Sequence, residues 1–79
     1  MAMDGETADT VIPAVWRQPD GAPVACVEKI RVLNENLVEI QAIAQDALED
    51  AVLMGCDETQ VRQVLHRLVE ALVNPYRKP

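Results

Sequence analysis

The sequence predicts an all-α fold, an antiparallel two-helix hairpin preceded by an extended N-terminal arm. Three observations predict it: a stretch from Pro23 to Met54 free of further proline and of glycine, the glycine that follows at Gly55, and a second amphipathic run that stops ahead of Asn74-Pro75. A chain of 79 residues has room for one domain. The boundaries expected are an arm over residues 1–22 and a hairpin domain over residues 23–79.

The arm carries Pro13 and the run Pro19-Asp20-Gly21, a turn signal in which proline fixes φ and glycine accepts positive φ. The arm also holds the apolar patch Val11-Ile12-Pro13-Ala14-Val15-Trp16, with the only tryptophan. Two readings suit that patch: a short docking motif, or a segment folding back over apolar surface of the long helix. The second is favoured, because an indole is costly to leave in water and a local apolar surface is at hand.

The long helix is expected over about residues 23–54, with Pro23 in its first turn, where a missing N–H leaves no intrahelical bond unmade. Cys26, Ile30, Leu33, Leu37, Ile40, Ala44, Ala47, Ala51 and Met54 alternate spacings of three and four, which places them on one stripe. Val32, Val38, Ile43, Leu48, Val52 and Leu53 fall off that stripe. A helix apolar on more than one side meets more than one neighbour.

Gly55 is expected to end this helix in the left-handed conformation. Asp57 then reads as the N-cap of the second, with Gln60 placed for a capping box and Cys56 for a staple on Val61. So short a connection favours an antiparallel reversal. The second helix, about residues 57–73, has the cleanest pattern in the chain: Val61, Val64, Leu65, Leu68, Val69, Leu72 and Val73. Asn74, before Pro75, is pushed out of the α region and ends it, and Tyr76 is available to pack back.

Length then raises a question of cover. The expected helices are roughly 46 Å and roughly 25 Å long at about 1.5 Å per residue, so the second reaches back only to about Val38. Cys26, Val27, Ile30, Leu33 and Leu37 are left without an intrachain helix, and Ile40 lies close to the limit. Leaving three such large residues in water forfeits on the order of 5–8 kcal/mol, comparable to the whole stability of a small domain. The cover expected is a second copy, completing a four-helix bundle as a homodimer through Cys26, Val27, Ile30, Leu33, Leu37 and Ile40, with Trp16 contributing. A different protein docking a helix on the Ile30–Leu37 seam is the alternative.

Composition narrows the function classes. Net charge is −6, distributed as about −3 over residues 1–24, −4 over 25–56 and +1 over 57–79. Arg62, Arg67, Arg77 and Lys78 are too few and scattered to make the basic face that nucleic acid requires. Cys26 and Cys56 are thirty residues apart, about 45 Å if one helix joins them, which excludes an intrachain disulfide. The acidic N-terminus has no basic-then-apolar leader, and no apolar run is long enough for a bilayer. The expectation is a cytoplasmic protein with no membrane partner.

No reactive constellation is legible either. His66 sits between Arg62 and Glu70 at helical spacing and reads as a solvated residue. Cys56, near a helix start, has no resolving cysteine or base beside it. Glu35, Glu39, Asp46, Glu49 and Asp50 lie off the apolar stripe without a Glu-x-x-His partner, as a solvated acidic face would. No phosphate loop, nucleophile triad or zinc pattern is found. The expectation is therefore no enzyme, catalytic residue, metal, cofactor or small-molecule substrate, with Asn34, Asn36 and Gln41 as polar residues able to set register at an interface.

Overall fold

The structure is a computed structural model that describes residues 11–77. It contains two helices, α1 at Val27–Leu53 and α2 at Glu58–Glu70. Among the described residues there is no β-strand, only an isolated antiparallel bridge between Arg17 and Pro23. The architecture is that of an all-α helical hairpin. Expectations that concern residues 1–10, Lys78 or Pro79 lie outside the described residues. The chain divides into two units, one ending at Ile43 and the other beginning at Ala44.

In the first unit α1 begins at Val27, four residues later than the sequence suggests. Pro23 is engaged elsewhere: it pairs with Arg17, and the Val24 N–H donates to the Trp16 carbonyl at 2.8 Å. A residue committed to an extended pairing cannot supply a helical turn. The first intrahelical bond runs from the Ile30 N–H to the Cys26 carbonyl at 3.0 Å, which makes Cys26 the N-cap.

The second unit holds the end of α1, the reversal and α2. Gly55 has φ +97°, its N–H donates to the Val52 carbonyl at 3.0 Å, and the Cys56 N–H donates to the Ala51 carbonyl at 2.9 Å. These two bonds define a Schellman motif, which satisfies carbonyls that the helix end would otherwise orphan. Asp57 is extended (φ −73°, ψ 127°) and its carboxylate accepts from the Gln60 N–H at 2.9 Å, so it caps α2 as its side chain allows. Cys56 is exposed.

α2 stops at Glu70, three residues short of the expected Val73. Its last turn tightens, with the Leu72 N–H donating to the Val69 carbonyl at 3.2 Å. Asn74 then builds a turn of its own, its side chain accepting from the Tyr76 N–H at 2.8 Å. Leu72 and Val73 are exposed, so no packing opposes the unwinding. Tyr76 does not pack back and is 89% exposed.

No described residue is fully buried. The half-buried positions of α1 are Ile30, Leu33, Asn34, Leu37, Gln41, Ala44, Leu48 and Ala51, which differ from the heptad read in the sequence. Ile40, Ala47 and Met54 are exposed, whereas Leu48 and Gln41 are covered. A strict seven-residue repeat drifts by about 20° per heptad on a straight helix. Over two heptads the series Leu33, Ile40, Ala47 rotates away, and the series Asn34, Gln41, Leu48 rotates in. On α2 the half-buried residues are Val61 and Leu65, from the centre of its expected apolar face.

Candidate interaction surface

Residues 16–24 form a loop that holds itself together. Pro19 occupies the second position of a turn closed by the Gly21 N–H donating to the Gln18 carbonyl at 2.8 Å, and Gly21 follows at φ +92°. That backbone conformation is cheap only for glycine. The Gln18 N–H donates to the Ala22 carbonyl at 2.8 Å, the Arg17 guanidinium to the Gly21 carbonyl at 2.9 Å, and the Ala22 N–H to the Asp20 carboxylate at 2.9 Å. The Pro-Asp-Gly signal is thus realised as a closed turn.

The loop aims Trp16 at α1. Its indole Nε1–H donates to the Asn34 side-chain oxygen at 2.8 Å, and both residues are half-buried. Eighteen residues separate the pair. Ile30, Leu33 and Leu37, on the same stretch of α1, are half-buried as well, and Ile12, Ala22 and Val24 are the covered residues of the arm. The indole is therefore partly withdrawn from water with its one donor on an amide, as a partly buried tryptophan requires.

The other positions singled out in the sequence lie outside this contact. Cys26 is exposed and free, Val27 is 77% exposed and Ile40 is 59% exposed. Sequence reasoning marked Asn34 as a polar residue near the seam but did not pair it with Trp16. The available signal was a tryptophan beside a proline-led turn and an amide four residues after Ile30, where nothing apolar would satisfy an indole N–H.

A second surface in this unit is left uncovered. Val32, Asn36, Ile40 and Ile43 follow one another at spacings of four, four and three, which sets them on one flank of α1. Ile43 is 70% exposed. Nearer the helix start, an open apolar notch is lined by Val24, Glu28, Lys29, Val32 and Leu33. Within the second unit Val64, Leu68 and Val69 are exposed on α2, although each is part of its apolar pattern.

The ion pairs of the described residues lie at the surface. Arg31 is clasped between Glu28 at 2.6 Å and Glu35 at 3.2 Å, and its pKa is raised by the hydrogen bond to Glu28 first and that to Glu35 next. Arg62 meets Glu58 at 2.9 Å. His66 lies 3.9 Å from Glu70 and both are exposed, so the histidine has a carboxylate neighbour. Ion pairs in such solvated positions orient side chains more than they stabilise the fold. No helix among the described residues is long and apolar enough to cross a membrane. No family model, curated protein or solved structure matches this chain.

Proposed function

We propose that this protein is a non-enzymatic helical interaction protein that completes its core against a second copy of itself along α1. The observation that carries this reading is that no described residue is buried while large aliphatic residues stand exposed on both helices. Folding costs roughly 1–2 kcal/mol of backbone entropy per residue, and half-covered side chains offset it poorly. Cover must arrive with folding, and another copy is present wherever the chain is made.

Surface area supports a partner of that size. The accessible surface is 6991 Å², against about 4,700 Å² for a compact chain of this mass. Even when the twelve residues outside the described range are credited with the full surface of an unfolded chain, about 900 Å² of excess is left. A standard interface takes about 800 Å² from each partner. The flank Val32–Asn36–Ile40–Ile43 is an apolar face of α1 open to receive it, with Asn36 as a polar residue of the kind that sets register.

The alternative docks a helix of a different protein on the Ile30–Leu37 seam. It is disfavoured because the Trp16 arm already lies there. A nucleic-acid role is disfavoured by the net charge. Two exposed free thiols suit a reducing, cytoplasmic setting.

The test is solution mass by light scattering over a concentration series, with an Ile40→Asp/Ile43→Asp variant beside the wild type. Both side chains are mostly exposed, so the variant takes little from the intrachain contacts. The reading expects twice the chain mass for the wild type and a monomer for the variant. A wild type that stays monomeric to millimolar concentration overturns it.

A further inference from the structure

We infer that residues 16–24 are a releasable strap, latched by the Trp16–Asn34 hydrogen bond, that closes Ile30, Leu33 and Leu37 of α1 to a second copy of the chain. The inference rests on the self-association proposed above and adds a control on how much of α1 it uses.

Occupancy is exclusive. Helices pack with their axes about 8–10 Å apart, and an indole lying on the stripe around Asn34 fills the space that a partner's side chains would enter. With the strap closed, a second copy reaches the exposed flank at Val32, Ile40 and Ile43 but not Ile30, Leu33 and Leu37. With it lifted, Ile30, Leu33 and Leu37 join the contact.

The strap is also built to lift as one piece. Its turn is closed by bonds between residues 16 and 24 alone, including Val24 to Trp16, Gln18 to Ala22 and Arg17 to Gly21. None of these needs α1. Across to the helix, a single side-chain hydrogen bond is made among the described residues, at 2.8 Å from Trp16 to Asn34. Only Ala25 and Cys26 separate the loop from α1, and both are exposed. Neither is held by a side-chain contact that would resist a hinge there. Release therefore costs one hydrogen bond and the partial burial of Trp16, Ala22 and Val24, while the loop keeps its own structure.

The experiment uses the full chain and two readouts. Trp16 is the only tryptophan, so its emission and acrylamide quenching report the latch; the dissociation constant from sedimentation reports the gate. Asn34→Ala removes the acceptor, Asn34→Asp keeps one, and Trp16→Ala removes the strap's anchor without touching α1. Circular dichroism confirms that each variant retains its helices. The expected result is a red-shifted, more quenchable Trp16 in Asn34→Ala and wild-type emission in Asn34→Asp. Self-association should tighten about two- to tenfold in both Asn34→Ala and Trp16→Ala, the range that one hydrogen bond spans.

Unchanged emission in Asn34→Ala overturns the latch. A red shift in Asn34→Ala, with association unchanged or weaker in both Asn34→Ala and Trp16→Ala, overturns the gate and leaves self-association standing. Wild type and variants that all stay monomeric while Asn34→Ala still shifts its emission overturn the self-association reading, and the gate falls with it.

Discussion

The two units of this protein each cover the stretch of α1 that they contain, and they do so by different means. Up to Ile43 the cover is a nine-residue loop with one aromatic side chain and one hydrogen bond, from Trp16 to Asn34. From Ala44 onward it is a helix, and its covered residues repeat at helical spacing: Ala44, Leu48 and Ala51 on α1, Val61 and Leu65 on α2. A helix spreads its contacts over several side chains, so no single one decides whether it stays. The loop concentrates them in one pair, which makes it specific and easy to release. A short chain can thus hold one end of a helix by repetition and the other by a latch.

The comparison breaks most readily at the centre of the second unit. Leu65→Asp puts a carboxylate into the half-covered face of α2 and should cost about 2–4 kcal/mol, seen as a large drop in the urea midpoint by circular dichroism. Trp16 emission should stay as in the wild type. An emission shift of the size seen on full unfolding would show that the two units do not melt separately.

Next come the two glycines, which offer the same substitution in both regions. Gly21 and Gly55 have φ of +92° and +97° with open space around each Cβ position, so alanine meets conformational strain alone. Each change should cost about 1–2 kcal/mol. Gly55→Ala should lower the helical midpoint, whereas Gly21→Ala should loosen Trp16 and leave that midpoint nearly unmoved. Reversed readouts would contradict the division into latch and hairpin.

Asp57→Ala removes the cap of α2 and should cost about 1 kcal/mol, measured as a lower thermal midpoint with no change in tryptophan quenching. The smallest effect belongs to Arg62→Ala. Its pair with Glu58 is exposed and should contribute at most about 0.5 kcal/mol, so a midpoint displaced beyond that range would mean the pair faces a neighbour in solution.

Local signals in the sequence were read correctly where they act within a few residues. Gly55 and Asp57 stop one helix and start the next through bonds to residues no more than five positions away. Pro19-Asp20-Gly21 likewise announces its turn. The helix ends at Pro23 and Val73 were misplaced because each depends on a competing use of the backbone, the bridge to Arg17 in one case and the Asn74 turn in the other. Propensity marks where a helix can exist; packing and rival hydrogen bonds decide how far it runs.

The interaction surface was less legible. Ile30, Leu33 and Leu37 were expected to need cover, and Trp16 was a candidate for it, yet the sequence could not say which amide would hold the indole. Nor could it say that Ile40 falls outside the covered stripe, since a heptad and a 3.6-residue repeat look alike over two turns and part over four.

By itself, then, the sequence determined that this chain forms two helices broken at Gly55, because glycine conformation, capping and apolar spacing are properties of neighbouring residues. Only tertiary structure decided which apolar residues are covered and which stand free. That choice turns on the accumulated twist of a 27-residue helix and on one contact spanning eighteen residues, and neither is encoded in any local run of the chain.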